Sequence, residues 1–329
     1  MISTVLAFLQ VTGSQSMMQP AGQGASRITT LGWIVFITLL VVAFIMWVLI
    51  AWVGVRRRGS FDIKPPYEPE GGQDWILTGG FIIPFVILTT LFVLSLDTLA
   101  KFPMHMADDP PTPDIVVIGH QWWWEIRYED GPVFDYFTTA NELHIPTHRT
   151  INIEVLSADV IHSFWVPRIH GKIDTIPGQA NFIRIEADDV GVYRGECAEF
   201  CGDQHAHMGM LIIAQTPSDY DKWLADQRLP GATPTTPDAQ AGKQVFLNAA
   251  CVLCHKVRGT VAGGTVAPDL THIGSRMSLA ADTLTNNTGS LAAWITHAQS
   301  LKPGCQMPDI TAFNGDQLRD LVAYLQQLK

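Results

Sequence analysis

The chain has 329 residues, of which 47% are hydrophobic and 16% charged, and its formal net charge at pH 7 is −10. This length leaves room for two or three domains, and a charged fraction below the roughly 25% of an average soluble protein indicates a membrane-associated chain. The acidic balance argues against a nucleic-acid partner, because a surface that binds phosphate must be basic, and it favours a basic protein partner.

Two charge-free segments near the start of the chain predict membrane helices. Residues 31–55 and 75–96 contain no Asp, Glu, Lys or Arg, and each is longer than the roughly 20 residues that cross a bilayer. Buried core helices rarely stay apolar on every face over such a length. We therefore predict a two-helix transmembrane hairpin over residues 29–100, which tolerates Pro84 because neighbouring helices satisfy the carbonyl that proline frees.

The basic residues beside these spans predict their orientation. The loop between the spans contains Arg56, Arg57, Arg58 and Lys64, and the outer flanks contain Arg27 and Lys101. Because positive residues stay in the cytoplasm, we expect the loop on the cytoplasmic side of a bacterial cell membrane and both flanks on its outer side. Residues 1–28 are expected to form an outer tail or a weak signal segment, since the first ten residues carry no basic charge.

Short alternating runs over residues 101–223 predict a β-domain. Ile151, Ile153 and Val155 alternate with polar residues, as Ile183 and Ile185 do, and this alternation is typical of half-buried strands. The turn sequences IPTH, IPGQ and DDVG separate such runs. We expect an antiparallel sandwich or barrel.

The remainder of the chain divides into a linker and a helical domain. The sequence LPGATPTTPD at 229–238 contains three prolines and predicts a linker over residues 224–240. Residues 241–329 are expected to be mostly helical. Their last helix is predicted over Asp316–Leu328, with one apolar face formed by Leu318, Leu321, Val322, Leu325 and Leu328.

The sequence GECAEFCGDQHAHMGM at 195–210 concentrates metal-binding side chains. Cys197, Cys201, His205 and Met208 follow one another at spacings of four, four and three residues. Thiolate, thioether and imidazole donors favour copper over hard cations. Two thiolates on one loop can bridge two copper ions if a second imidazole arrives from elsewhere, and His162 in VIHSFWVP is the candidate.

Two other chemistries fit part of this cluster. Zinc would take the two cysteines and two histidines. A disulfide between Cys197 and Cys201 is permitted outside the cell, but it leaves His205 and Met208 unexplained. His207 and Met210 are expected to be structural, because alternate residues in so short a stretch should point away from the ligands.

Four motifs resemble subunit II of cytochrome c oxidase. They are GHQWWWEIRYED at 119, ADVIHSFWVP at 158, GKIDTIPG at 171 and CAEFCGDQHAHM at 197. The resemblance implies a cupredoxin-like sandwich with a binuclear copper centre, CuA, whose ligands are His162, Cys197, Cys201, His205, Met208 and the backbone carbonyl of Glu199. It also implies that the Glu199 side chain faces a magnesium site shared with subunit I, which suits a carboxylate.

Three further positions are interpreted through this resemblance. Trp122 matches the electron-entry residue of the family, with packing of Trp122–Trp124 in a core or interface as the alternative, since large aromatics dominate both. Gln179 stands where the family usually has Arg, so the contact of that Arg with the heme propionates of subunit I is not transferred to it. Asp74 is shifted from the family's Glu that is associated with proton entry, and that role is not transferred either.

The sequence CVLCH at 251–255 is a c-type heme attachment motif. We expect Cys251 and Cys254 to form thioethers and His255 to bind the iron, with a redox pair of cysteines as the alternative. The sixth ligand is Met277 or Met307. Met307 is preferred because CQMPDI resembles the Met-Pro loop of class I cytochromes c, in which Met holds a high potential.

Three other residues of this region are assigned structural positions. Pro268, in APDLTHIGSR, is expected to pack near His255, as the resembling loop of class I cytochromes c does. His272 is expected to be structural. Cys305 has no evident partner and is expected to be buried as a small hydrophobe without a function.

These features together are similar to a caa3-type subunit II with a fused cytochrome c domain. The resemblance implies the electron-entry subunit of a respiratory cytochrome c oxidase. Electrons would enter at heme c and pass through CuA to the catalytic subunit, which reduces O2 to water with proton translocation. The implied partners are subunits I and III, membrane lipid, and a cytochrome c or cytochrome c reductase as donor.

Other functions use some of the same parts. CuA domains also serve nitric oxide and nitrous oxide reductases, although the hairpin argues against the soluble nitrous oxide enzyme. A membrane-tethered electron carrier or a copper-delivery protein is a further alternative, but a full ligand set on a rigid sandwich suits electron transfer better than delivery. A quinol oxidase is disfavoured because it needs neither CuA nor heme c.

Overall fold

The structure is a computed structural model that describes residues 15–56, 72–102, 112–129 and 131–329. The chain divides into two compact units. One is Ser26–Phe102, and the other joins the residues up to Ala25 with those from Pro103 onward. Of the basic loop residues, Arg57, Arg58 and Lys64 lie outside the described residues, and Arg56 ends the first helix.

The first unit consists of apolar helices. These are α1 (Gln23–Arg56, beginning in the second unit), α2 (Gly72–Leu77) and α3 (Ile83–Ala100), with a π-helical turn at Thr78–Ile82 between the last two. Helix α1 and the stretch Gly72–Ala100 are long and apolar enough to cross a membrane, which confirms the two predicted apolar helices. The π turn lies directly before Pro84, which cannot donate to a carbonyl in the preceding turn.

The β-domain is built from ten strands. They are β1 (Ile115–His120), β2 (Trp123–Tyr128), β3 (Phe137–Ala140), β4 (Glu142–Pro146), β5 (Ile151–Ser157), β6 (His162–Trp165), β7 (Ile173–Thr175), β8 (Asn181–Ile185), β9 (Gly191–Cys197) and β10 (Gly209–Gln215). They form two five-stranded sheets, in the orders β3-β2-β1-β5-β8 and β4-β10-β9-β6-β7. The predicted sandwich is confirmed.

The strand pairing is not antiparallel throughout. The pairs β1–β5 and β4–β10 run parallel, so the antiparallel prediction is wrong for these two pairs. The reason is the path of the chain. Strand β4 belongs to the second sheet, so the chain crosses from that sheet back to the first before it forms β5. Strand β5 therefore joins β1 through a crossover and not through a hairpin.

The core of the sandwich follows the alternation in the sequence. Ile151, Ile153 and Val155 on β5 are fully buried, and the polar residues between them are half-buried. Trp124 and Phe164, one from each sheet, meet edge to face inside the core, with ring centroids 6.1 Å apart. The Trp124 indole N–H also donates to the carbonyl of Met208 at 3.4 Å, which places this ring against the cysteine-rich loop.

Helices are the main elements of the chain after β10. Helix α4 (Pro217–Arg228) buries Tyr220 and Leu224 in the core of the β-domain. The C-terminal domain contains α5 (Pro237–Asn248), α6 (Cys251–Cys254), α7 (Thr288–Thr296), α8 (Ala298–Leu301), α9 (Gly315–Gln327) and a small hairpin of β11 (Ser278–Leu279) and β12 (Leu284–Thr285). Helix α9 begins and ends one residue before the predicted bounds and starts at an Asn314 capping box.

The β-domain and the C-terminal domain belong to the same unit and contact each other through polar groups. Arg194 on β9 and Asp282 form an ion pair with an N–O distance of 2.6 Å. The buried Glu142 carboxylate accepts hydrogen bonds from the backbone N–H groups of Met277 and Ser278, at 2.6 and 2.9 Å. Burial raises the pKa of Glu142. The interface is therefore specific and hydrogen-bonded.

We expect Gly242→Ala to destabilise the C-terminal domain. A Cβ on Gly242 of α5 would lie 1.8 Å from the carbonyl oxygen of Asp320 on α9, so the two helices would have to separate at a cost of about 1–3 kcal/mol. Amide hydrogen exchange across α9 measures the loss as faster local opening. Gly315→Ala, where a Cβ meets nothing within 4 Å, is the control, and equal protection in both variants would contradict the close crossing.

Candidate metal centre and covalent attachment site

The cysteine-rich loop connects two neighbouring strands of the second sheet. Cys197 is the last residue of β9, and Met208 directly precedes β10. The N–H of Cys197 donates to the carbonyl of Met208 at 3.0 Å, which closes the loop at its base. Strand β6 pairs with β9 on its other side, with Phe164 opposite Cys197, and so brings His162 to the same edge.

The structure brings all the predicted donor side chains together. The Cys197 and Cys201 sulfurs lie 3.8 Å apart. His162 Nδ1 lies 3.9 Å from Cys197 Sγ. His205 Nδ1 and Met208 Sδ lie 3.7 and 3.8 Å from Cys201 Sγ. The ligand atoms of His162, Cys197 and Cys201 lie within 4.8 Å of one another, and all three residues are buried.

The geometry around the sulfurs suits a metal better than a disulfide. All five cysteines are free thiols, and the 3.8 Å between the two sulfurs leaves room for ions between them, whereas a disulfide needs about 2.05 Å. The hydrogen bond between the two thiols lowers the pKa of Cys197 to about 3 and raises that of Cys201. Two cysteine sulfurs beside a thioether and imidazoles fit copper.

His162 is oriented by a residue that sequence reasoning missed. Its Nε2 lies 2.7 Å from Asp159 Oδ1, which leaves Nδ1 directed at the sulfurs. The pKa of His162 is lowered by burial but raised more by its hydrogen bonds to Cys197 and Asp159, so the net shift is upward. A carboxylate bonded to the second nitrogen of a histidine ligand commonly fixes the tautomer of that histidine. The position of Asp159 three residues before His162 was the sequence feature that could have predicted this contact.

Two predicted residues flank the donor cluster. The carbonyl of Glu199 accepts from Cys197 Sγ at 3.2 Å and so points into the cluster. The Glu199 side chain is partly exposed, and its Oε2 lies 3.9 Å from Lys172 Nζ. The Trp122 indole N–H donates to the carbonyl of Cys201 at 3.0 Å. Trp122 is therefore in contact with the loop, and Glu199 faces outward beside a cation.

The residues expected to be structural point away from the donors. Met210 on β10 is fully buried in the core of the sandwich. His207 Nδ1 lies 2.7 Å from Gln204 Oε1. Gln179 bonds to Asn181 through its side chain at 3.0 Å, and Asp74 lies in the first turn of α2.

The C-terminal domain presents the second cluster. Cys251 and Cys254 form the single turn of α6, with Cys251 partly buried and Cys254 exposed. His255 follows, and its Nδ1 lies 2.8 Å from the carbonyl oxygen of Pro268. This bond leaves Nε2 free as a ligand, and burial lowers the pKa of His255, which favours the neutral imidazole that metals bind. Two free thiols and an oriented imidazole fit a covalently attached heme.

The two candidate methionines have different surroundings. Met307 packs against the core of the C-terminal domain. The Gln299 side chain holds its loop by donating to the carbonyls of Cys305 and Met307, at 2.6 and 2.7 Å. Met277 is 48% exposed, and its N–H is bound by Glu142 of the β-domain. The C-terminal core thus contacts Met307, while the Met277 backbone lies at the domain interface.

Two further expectations concern this domain. His272 Nε2 lies 3.1 Å from the carbonyl oxygen of Leu229, a structural contact to the segment that joins the domains. Cys305 is half-buried, and burial raises its pKa. Gln299, which ties the loop around Cys305 and Met307, was missed in the sequence because nothing in its local pattern marks a long-range contact.

Two regions of the second unit match known protein families. Residues 114–215 match the family described as cytochrome C oxidase subunit II, periplasmic domain, and residues 239–329 match the cytochrome c family. Cytochrome c oxidase subunit 2 of Alkalihalophilus pseudofirmus is 37% identical over 280 residues, which cover 83% of this chain and 78% of that protein.

Two more similarities cover different shares of the chain. Cytochrome c oxidase subunit 2 of Bacillus subtilis is 26% identical over 336 residues, which cover 95% of this chain and 92% of that protein. The crystal structure of the periplasmic domain of subunit II of cytochrome oxidase of Bradyrhizobium japonicum is 30% identical, with a TM-score of 0.33, covering 36% of this chain and 97% of that one.

We expect Asp159→Ala to weaken copper binding without unfolding the sandwich. The substitution frees the His162 ring, and loss of such a supporting carboxylate typically costs about 10–100-fold in metal affinity. Competition with a chelator measures the affinity. Asp189→Ala, at an exposed turn, is the control. Wild-type affinity in the Asp159 variant would show that Asp159 does not support the site.

Proposed function

This chain belongs to the cytochrome c oxidase subunit II family, and we propose that it receives electrons at its C-terminal domain and delivers them through its β-domain to the catalytic subunit. The two matched domains imply copper and heme c, and the apolar helices fit a membrane subunit of a heme-copper oxidase. The catalytic subunit would reduce O2 to water, coupled to proton translocation.

In the β-domain, the donor cluster would hold a binuclear copper centre. Copper bound there supplies a one-electron carrier. Cys197 and Cys201 would hold the copper through their sulfurs, His162 and His205 would each supply an imidazole, and Met208 and the Glu199 carbonyl would complete the set. The support is the convergence of six donors from two separate segments, in which no donor group is spent on a disulfide.

In the C-terminal domain, Cys251 and Cys254 would attach the heme and His255 would bind its iron, with Met307 as the second axial ligand. Heme bound there supplies a second one-electron carrier. The Pro268 carbonyl would fix the His255 tautomer, and Gln299 would hold the Met307 loop. Packing of Met307 against an apolar core favours a stable, high-potential ligand set.

The remaining assignments concern the boundaries and the partners. The proposed regions are an outer tail (1–28), a transmembrane hairpin (29–100), a copper domain (101–223), a linker (224–240) and a cytochrome c domain (241–329). Within the linker, residues 229–236 connect the end of α4 to the start of α5. Both redox domains would lie on the outer face of a bacterial cell membrane. Subunits I and III, lipid, and a cytochrome c or its reductase would be the partners, and the Glu199 side chain would face magnesium shared with subunit I.

The converging donors carry this proposal, and Cys197→Ser tests them. The full chain, loaded with copper and heme, should contain about two copper ions that share one unpaired electron, visible as a multi-line pattern in electron paramagnetic resonance. In Cys197→Ser this signal should disappear while the heme stays attached, because the two sites use different residues. Cys305→Ser is the matched control and should keep both signals. A Cys197→Ser chain with an intact copper signal would refute the ligand assignment.

A second experiment tests the axial ligand of the heme. Met307→Ala should change the heme absorption spectrum and lower its reduction potential, since a thioether ligand favours the reduced iron. Met277→Ala is the control and should change neither. If only the Met277 variant changes the spectrum and potential, the sixth ligand is Met277.

A further inference from the structure

Lys302, at the end of α8, is a buried cation at the contact between the two redox domains. Its residue is 2% exposed. Its ammonium donates three hydrogen bonds to backbone carbonyls, to Trp122 at 2.8 Å, to His207 at 2.7 Å and to Ala280 at 3.0 Å. All three N–H bonds of the ammonium are therefore used, and two of them cross from the C-terminal domain to the β-domain.

The surroundings of Lys302 are unusual for a buried charge. Among the residues that the structure describes, no Asp or Glu forms an ion pair with it. Buried charges are ordinarily paired, because removal from water is costly. Burial lowers the pKa of Lys302 to about 8. The dipoles of the three bound carbonyls compensate the cation, so their arrangement around it must be maintained for the interface to close.

The carbonyls that Lys302 binds belong to the edge of the copper site. The Trp122 indole donates to the carbonyl of Cys201, and His207 directly precedes Met208 in the chain. The ammonium of Lys302 therefore binds the backbone of Trp122 and His207, which border the donor cluster on the side that faces the C-terminal domain. A single side chain of the C-terminal domain thus fixes two segments of the β-domain.

The residues after Lys302 lie against the Trp122 ring. The carbonyl of Pro303 accepts from Gln204 Nε2 at 2.7 Å. A Cβ built on Gly304 would lie 3.8 Å from two atoms of the indole, so the turn lies beside the ring with room for little more than a Cβ between them. The same turn leads to Met307 within a few residues, so it connects the surroundings of the proposed axial ligand to Trp122.

The third carbonyl belongs to a strained segment of the same interface. Ala280, Ala281 and Asp282 are consecutive residues in the left-handed region, with φ of 55°, 58° and 59°, a conformation that non-glycine residues adopt singly and at a cost. The β-domain contacts this segment through the N–H of Gly209, which donates to the carbonyl of Ala281 at 3.1 Å, and through Arg194. Lys302 adds the bond to Ala280.

We propose that Lys302 is the positioning residue that fixes the turn 302–304 against Trp122 and so sets the contact through which electrons cross between the two domains. This inference rests on the proposed function of the chain. The crossing moves one electron and neither a proton nor a bond: the carrier in the C-terminal domain is oxidised, and the carrier in the β-domain is reduced. Lys302 itself holds the contact and is not a carrier.

The test compares Lys302→Met, which keeps the unbranched side chain up to the Cε position and removes its donors, with the matched control Lys243→Met on α5. Both are made in the full chain in detergent. The first measurement is amide hydrogen exchange of Gly209 before any metal or heme is loaded, because this amide bonds across the interface. The second is the rate of electron transfer from heme to copper after flash reduction of the loaded chain.

Lys302→Met should exchange the Gly209 amide about tenfold faster and transfer electrons about tenfold more slowly, because three backbone carbonyls lose their charged donor. The copper and heme spectra should match those of the wild type, and Lys243→Met should change nothing. If Lys302→Met fails to fold, Lys302→Gln, which keeps two N–H donors, should give smaller changes in the same direction.

The outcomes separate this inference from the proposed function. Wild-type exchange and wild-type transfer in a folded Lys302 variant with both spectra present would overturn the role of Lys302 and leave the proposed function standing. If the wild-type chain itself binds no copper pair, or transfers no electron between its two sites, the proposed function fails. Faster exchange with an unchanged transfer rate would also overturn the inference, because docking would then not set the rate.

Discussion

The pairing of β9 with β6 on one side and with β10 on the other is the constraint on which the first site depends. Phe164 lies opposite Cys197, and Gly209 lies opposite Glu196. Since side chains alternate between the faces of a sheet, a slip of one residue in either pair would turn the donors away from one another. The buried apolar residues of β6 and β10 resist such a slip, because it would expose them to water. The hydrophobic core of the sandwich therefore sets the spacing of the sulfurs and the imidazoles.

The same loop also forms part of the surface on which the C-terminal domain rests. Gly209 begins β10 and binds the strained segment, and Gln204 lies between two donors and binds Pro303. The residues that close the metal site on the inside thus contact the second domain on the outside. Movement of either element is transmitted directly to the other through hydrogen bonds of 2.7 to 3.1 Å.

Sequence reasoning predicts what local chemistry determines and misses what the fold assembles. The apolar spans, the alternation of β5 and the amphipathic α9 were predictable because each depends on a period within one segment. The donor cluster was predictable because most of its members share one loop, and His162 entered through a motif. The parallel pairs, Asp159 behind His162, Gln299 behind Met307, and Lys302 were not predictable, since each depends on a contact between distant segments or on a side chain with no distinctive neighbours.

The character of the interface follows from the covalent connection between the domains. Two separate proteins need a large apolar contact to overcome the entropy of association, but domains of one chain meet at a high effective concentration, so a smaller polar contact is sufficient. The interface uses such contacts: a carboxylate on backbone N–H groups at Glu142, an ion pair at Arg194 and a cation on carbonyls at Lys302. Polar groups are directional, whereas apolar contacts tolerate sliding. A polar interface on a connected chain can therefore fix the orientation of the two proposed redox sites without the large apolar surface that would expose the free domains to aggregation.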